Sequence, residues 1–354
     1  MKIDVLVGVA FRGGVEEVVN ETCRYLQEAG HAVRIVQCIW QEKEWVDSEL
    51  KFFYLLNVEK EEWNGDFNII ANAYKCFVEK EGHPDIVLAT GWPVLVSIAR
   101  AVVENRAKVI SWMHGDLYAY TEEGFGGYPE LAAADAHFCI NEVLKKGIAE
   151  NISGASVYAV RNPINLKRIC YNENRDLHRI AYVGRLSKEK NIPYLLQSFS
   201  LTDDTWILDV VGDTDVPNGL QILDEYCASM GIQNRVFFHG WQENPWEILA
   251  EDAALILTSD REGAPLVISE ALLCGMFIIT TPTNGANTFV KTGENGFFIP
   301  FREPNFLAKV LKLMETNELP IPSAQTCRKS AEYLLEKREL QEFENYLEEV
   351  KNTD

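Results

Sequence analysis

At 354 residues the chain is long for one hydrophobic core and predicts two domains of roughly 170 residues each. Its residues are 47% hydrophobic and 24% charged, the balance of a folded soluble protein. Formal net charge is −20, and acid exceeds base in both halves, with 17 Lys+Arg against 24 Asp+Glu in residues 1–170 and 16 against 29 in residues 171–354; this argues against nucleic acid as a partner and against docking on an anionic membrane by a basic face.

The first predicted element is a strand over Lys2 to Ala10. It carries Asp4, has no Ala-x-Ala-like cleavage site and enters a glycine turn, so it reads as structure rather than as a signal peptide. Phe11-Arg12-Gly13-Gly14-Val15-Glu16-Glu17 then opens a helix running to about Gly30. Paired glycines between a strand and a helix let a backbone approach a ligand, although no Gly-x-Gly-x-x-Gly dinucleotide fingerprint is present. Strands follow at Ala32 to Ile39 and Lys51 to Leu56, with an acidic, aromatic stretch (Trp40, Trp45, Phe52, Phe53, Tyr54, Trp63) whose rings either stack on sugars or cap the core. Pro84 to Thr90 and Lys108 to Met113 are buried strands on either side of a helix from about Pro93. The second ends at His114-Gly115-Asp116, where ligands collect in α/β sheets. Leu117 to Pro129 reads as a loop rich in Tyr and Gly (Tyr118, Tyr120), a candidate flap. Ala136 to Ile140 and Ser156 to Val160, followed by Arg161-Asn162-Pro163-Ile164-Asn165, close the first half, and polar Tyr171 to Leu177 reads as a linker.

The second half restarts with a strand at Arg179 to Val183 and the loop Gly184-Arg185-Leu186-Ser187-Lys188-Glu189-Lys190-Asn191. Arg185 and Lys190 stand five residues apart, so both cations can fold toward one anion. Trp206 to Val211 is a strand, and Gly212-Asp213-Thr214-Asp215 reads as a turn rather than a metal site. Val236 to His239, then Gly240-Trp241-Gln242 and a helix around Trp246, follow. The strand Ala253 to Leu257 leads into Ser259-Asp260-Arg261-Glu262-Gly263-Ala264-Pro265-Leu266-Val267-Ile268-Ser269-Glu270-Ala271-Leu272-Leu273-Cys274-Gly275. Pro265 suits the start of a helix continuing through Leu273, and such a corner aims free N–H groups at an anion. Two carboxylates flank the corner, Glu262 before the helix and Glu270 inside it; a carboxylate beside a bound phosphate repels it, so Glu262 needs hydroxyls or a cation nearby. Phe277 to Thr280 is a strand, Gly293-Glu294-Asn295-Gly296 a turn, and the stretch from about Pro304 to Lys351 is helical and rich in Glu and Lys. Eight cysteines with no Cys-x-x-Cys read as reduced thiols of a cytoplasmic protein. No apolar run approaches the ~18 residues of a membrane span.

Glutamate, seven residues, glutamate, then Ala-Leu-Leu-Cys-Gly, together with the Gly184–Asn191 loop, resembles the signature of retaining nucleotide-sugar glycosyltransferases of family 4, which have the GT-B fold. Gly-Gly-Val-Glu, the strand-end His114, Asn162-Pro163-Ile164-Asn165 and the late Gly-x-Asn-Gly are similar to further elements of that family. The resemblance covers nearly the full length and is densest from 180 to 300. It implies an α/β chain of two facing doubly wound Rossmann-like domains with a cleft between them: residues 1–170 on the acceptor side, 171–336 binding the nucleotide sugar, and 337–354 a helix crossing back to the first domain. Alternating strands and helices support the α/β class independently.

By the same resemblance the catalytic residues are His114, Arg185, Lys190 and Glu262. The donor is held by Gly13, Gly14, Gly184, Arg185, Lys190, Gly240, Trp241, Glu262, Gly263, Ala264, Pro265, Leu266, Val267 and Glu270. Trp241 packs either near the base or in the core, and Asp116, Tyr118 and Tyr120 are acceptor candidates. The implied reaction moves a hexose, with retention, from a nucleotide diphosphate sugar to a hydroxyl of a glycan or glycolipid. Similarity to bacterial surface-polysaccharide galactosyl- and glucosyltransferases implies a UDP-hexose donor. Arg185, Lys190 and helix N–H groups do the work of a metal, so no cofactor or metal is expected, and membrane association is at most peripheral. A sugar-nucleotide epimerase or hydrolase of similar fold, or a catalytically silent partner of another glycosyltransferase, are the alternatives; joint presence of Arg185, Lys190, Glu262 and Glu270 argues against the silent one.

Overall fold

The computed structural model describes residues 1–9, 13–40, 45–58, 62–115, 117–214 and 216–353. They form two compact units, Met1–Pro163 with Lys337–Asp354, and Ile164–Glu336.

The first unit is a seven-stranded sheet of β1 (Lys2–Val7), β2 (Ala32–Ile39), β3 (Lys51–Leu56), β4 (Ile86–Thr90), β5 (Lys108–Met113), β6 (Ala136–Cys139) and β7 (Val157–Ala159). Every pairing is parallel, in the order β3-β2-β1-β4-β5-β6-β7. Parallel strands are covered on both faces, which is why β4 is buried at all five positions and reads as an unbroken apolar run. Among the buried polar residues of these strands is the carboxylate Asp4 on β1. Its register partner Arg34 on β2 donates to both carboxylate oxygens at 2.6 and 2.7 Å, and the Tyr74 hydroxyl adds a third bond at 3.0 Å. The helix Arg338–Asn352 belongs to this unit. Its Phe343 packs on Trp112 and Phe138, with ring centroids 4.9 Å apart in both cases, and its Glu344 accepts from Tyr25 and pairs with His31.

The aromatic stretch of the first half is largely committed to packing. Trp45 is buried and donates to Gln37 at 2.7 Å, and Trp63, Trp92 and Phe125 form a continuous stack. Residues 117–129, expected to be a loop, are partly helical over Leu117–Glu122, with a second short helix Tyr128–Leu131. Thr121 holds the turn between them by donating to the carbonyls of Leu117 and Gly126, and Leu117 and Tyr120 pack on the core.

The second unit is a six-stranded parallel sheet of β8 (Asp176–Val183), β9 (Ile207–Val211), β10 (Val236–Gly240), β11 (Asp252–Leu257), β12 (Phe277–Thr280) and β13 (Gly296–Phe298), in the order β10-β9-β8-β11-β12-β13. Its core includes Tyr182, Trp206 and Trp246, each almost wholly buried. Two features differ from the sequence reading. Ile164 to Cys170, read with the first half, packs on this core. Residues 171–177, read as a linker, are fixed in place. Asn172 donates to the Ala250 carbonyl, Arg175 to the carbonyls of Asp252 and Cys274, and Tyr171 lies under Arg328. These anchors are polar side chains on backbone carbonyls, so they leave no hydrophobic pattern to read. No helix among the described residues is long and apolar enough to cross a membrane.

Candidate functional site

In each sheet the strand order reverses once, beside β1 and β4 in the first unit and beside β8 and β11 in the second, and ligands bind open α/β sheets at the carboxyl ends of such strands. In the second unit that edge is built from glycine. Gly184 and Gly212, after β8 and β9, both have φ +151°, and a Cβ on Gly212 would lie 1.9 Å from the Gly184 carbonyl oxygen. Gly184 N–H donates to Val211, Gly212 N–H to Gly240 and Leu186 N–H to Asp213, so the three strand ends are knitted together without side chains between them.

Beside this shelf, β11 runs through buried Thr258 and Ser259 into the corner expected from sequence. The helix Leu266–Cys274 follows, with Pro265 as its N-cap residue. The corner is braced from behind. Thr281 donates its hydroxyl to the Ser259 carbonyl at 2.6 Å, and Gly285 N–H donates to the Glu262 carbonyl at 3.0 Å. A Cβ on Gly285 would come within 2.7 Å of both the Gly263 carbonyl oxygen and Pro265 Cδ.

Glu262 is the centre of the site. Its Oε1 accepts from Lys190 Nζ at 2.7 Å and from Ser259 Oγ at 2.6 Å, with the carboxylate only 9% exposed. The loop carrying Lys190 is tied to the corner by Asp260 N–H on the Glu189 carbonyl (2.9 Å) and by Thr258 Oγ1 on the Lys190 carbonyl (3.1 Å). Arg185 is exposed and pairs with Glu189 at 3.6 Å. The two cations expected to converge on one anion thus stand on separate carboxylates. Each can turn to a phosphate, because lysine is a movable point charge and arginine a fork with further donors. Glu270 is buried within the helix, Trp241 is 42% exposed beside Gly240 (φ +67°), and Gly263, Ala264 and Val267 are half-buried along the corner.

Asp213 accepts from its neighbour Thr214 N–H at 2.9 Å, a local turn contact, and Asp215 lies outside the described residues. Among the described residues no group of three or more His, Cys, Asp or Glu side chains could hold a metal ion.

In the first unit Gly13 is extended backbone capping the helix Gly14–Glu28, while Phe11 and Arg12 lie outside the described residues. His114 follows β5, 7% exposed, with its ring against Trp112 at 4.7 Å. Neither ring nitrogen has a hydrogen-bond partner among the described residues, and burial pushes its pKa down to about 3, so the imidazole is neutral at any ordinary pH. Tyr120 turns inward, its hydroxyl 2.6 Å from where a Gly115 Cβ would be, whereas Tyr118 is 65% exposed; Asp116 lies outside the described residues. Sequence reasoning missed two groups. Ser259 shares Glu262 with Lys190, and Thr90 ends β4 beside β5 with its buried hydroxyl unpartnered among the described residues. The available signal was a hydroxyl residue closing or just following an apolar strand.

Two parallel Rossmann-like sheets, each gathering polar groups at the carboxyl ends of strands around its reversal, define a protein of the GT-B class. The chain belongs to the glycosyltransferases: residues 12–168 match the model of Glycosyltransferase Family 4 and residues 166–333 that of Glycosyl transferases group 1. It is 28% identical over 230 residues to the lipopolysaccharide 1,6-galactosyltransferase of Salmonella typhimurium, covering 61% of this chain and 62% of that protein. The chain thus spans less than two thirds of that relative's length. Among solved structures, the apo form of the lipopolysaccharide outer core galactosyltransferase WaaB superposes with a TM-score of 0.75 at 22% identity, over 98% of this chain and 99% of that one. Anabaena HepE in complex with UDP and glucose superposes with a TM-score of 0.77 at 15% identity, over 99% and 100%. At these identities the two structures establish the fold.

Proposed function

We propose that the protein transfers a hexose from a UDP-hexose to a hydroxyl of a glycan or glycolipid, with retention of anomeric configuration and without a metal. The observation that carries the reading is the Lys190–Glu262–Ser259 constellation at the start of the Leu266–Cys274 helix. Two donors occupy Oε1, which fixes the carboxylate and leaves Oε2 to accept from a hydroxyl of the donor sugar. A sugar polyol with a diphosphate attached answers both the carboxylates and the cations of this corner. The relatives support the choice of donor, one being a galactosyltransferase and one structure holding UDP and glucose.

In this reading Arg185 and Lys190, with the N–H groups of Leu266 and Val267 and the Gly13–Gly14 loop, take up the charge of the departing diphosphate. Glu270 accepts from the ribose hydroxyls, and Gly240 and Trp241 flank the base. His114, as a neutral hydrogen-bonding group, serves the transferred sugar, and Tyr118, Tyr120 and Asp116 the acceptor. The acceptor oxygen bonds to the anomeric carbon on the face the diphosphate leaves. The C–O electron pair departs on the β-phosphate oxygen, and that oxygen takes the acceptor proton. A cytoplasmic location with reduced thiols completes the proposal.

The test is a panel of nucleotide sugars incubated with the chain and candidate glycans, with and without EDTA, followed by UDP release and by the anomeric proton signal of the product. A UDP-hexose consumed equally in EDTA, giving the donor's own anomer, is expected. Inversion, or complete loss in EDTA restored by manganese or magnesium, would overturn the retaining, metal-independent reading.

A further inference from the structure

We propose that Tyr182 is a positioning residue for the donor diphosphate: its phenol, buried beneath the turn after β8, holds the Arg185 backbone and so sets where the guanidinium points. The role rests on the reading of Arg185 as a diphosphate ligand.

Arg185 needs such an anchor. Its side chain is 44% exposed, and the ion pair with Glu189, at 3.6 Å, is a surface contact that holds it weakly. The direction of the guanidinium therefore follows from the backbone that carries it. From β9, the Val211 carbonyl accepts from Gly184 N–H at 3.0 Å, and beyond the strand the Asp213 carbonyl accepts from Leu186 N–H at 2.8 Å. From beneath, Tyr182 Oη donates to the Arg185 carbonyl at 2.9 Å. The Arg185 carbonyl and the Leu186 N–H belong to one planar peptide unit, so these two bonds fix that plane from opposite edges.

The hydroxyl is what distinguishes this side chain from a core phenylalanine. Tyr182 is fully buried in a strand whose neighbours Ile180 and Ala181 are apolar, and a buried phenol needs a hydrogen-bond partner. A Cβ on Gly184 would lie 3.0 Å from the phenol oxygen, which places the hydroxyl directly under the turn. Burial first, then the carboxylates of Glu262 and Glu189, push the phenol pKa well above its usual value, so the group stays protonated and always donates. Those two carboxylates are the partners of Lys190 and Arg185, so the phenol stands close to both ion pairs of the site.

The experiment is calorimetric titration of UDP into the full chain in EDTA. It compares wild type, Tyr182→Phe, Arg185→Ala, Lys190→Ala and the two double variants that join Tyr182→Phe to each alanine. Tyr182→Phe keeps the ring and removes the bond, and it should weaken UDP about tenfold in the wild-type background. In the Arg185→Ala background the same change should cost less than about twofold, because the group it aims is gone, whereas in the Lys190→Ala background it should keep its effect of about tenfold. A general loosening of the fold would lower affinity by the same factor in all three backgrounds. Equal factors throughout, an unchanged affinity in Tyr182→Phe, or a Tyr182→Phe chain that does not fold would overturn the role while leaving the donor reading in place. A wild type that does not bind UDP would overturn the donor reading itself, and the role of Tyr182 with it.

Discussion

At the scale of residues, Glu262 and Glu270 share a helix corner and differ in surroundings, and the proposed roles differ accordingly. A group that holds the ribose binds ground and transition states alike, whereas one beside the breaking bond acts as charge moves. Glu270→Gln should therefore weaken UDP binding by on the order of 1–3 kcal/mol, while Glu262→Gln should lower kcat and leave UDP affinity nearly unchanged. Calorimetry beside steady-state kinetics checks this, and the opposite pattern would reverse the assignments. Asp252, at the start of β11, makes a second prediction. It is fully buried, and neither carboxylate oxygen has a hydrogen-bond partner among the described residues. Burial first, then the neighbouring charge of Asp209, pushes its pKa from 3.8 up to about 8, against the pull of Arg179 and Arg175. A raised carboxyl stabilises the fold below its unfolded pKa, and that contribution is lost as pH rises through 4 toward 8. Asp252→Asn has no proton to lose there. Relative to wild type it should gain stability by on the order of a few kcal/mol between pH 4 and pH 8, read as melting temperature against pH; parallel curves would contradict the account.

At the scale of elements, the corner depends on the turn behind it. Adding a methyl group at Gly285 forces it against the Gly263 carbonyl and Pro265, so Gly285→Ala should displace the loop carrying Glu262. The expected result is UDP affinity lower by about tenfold and a stability loss of about 1–3 kcal/mol, the usual cost of overpacking; unchanged binding and melting would show the corner to be indifferent to its support. This dependence shows what the sequence could and could not tell. The strands were legible because parallel strands buried on both faces are apolar runs, and the Leu266–Cys274 helix because Pro265 precedes a continuous apolar stretch. The anchoring of residues 171–175 was not, since Asn172 and Arg175 work through backbone carbonyls far along the chain. The helix Leu117–Glu122 was hidden among residues with loop composition. Which carboxylate each cation would choose, Arg185 with Glu189 and Lys190 with Glu262, depends on side-chain geometry that spacing alone does not set.

At the scale of the whole molecule, a chain of net charge −20 repels a nucleoside diphosphate at a distance, so binding must come from local cations and N–H groups. Lys190, Arg185, the glycine shelf of β8 to β10 and the Leu266–Cys274 helix all lie in the second unit, so the proposed donor site draws most of its diphosphate contacts from that unit's edge. Titration of UDP into the full chain in EDTA, for wild type and for Arg185→Ala and Lys190→Ala, addresses this directly. UDP should bind the wild type without metal, and each substitution should weaken it by about ten- to a hundredfold, the worth of one charge-assisted hydrogen bond. No binding to the wild type, or equal affinity in all three, would contradict the account.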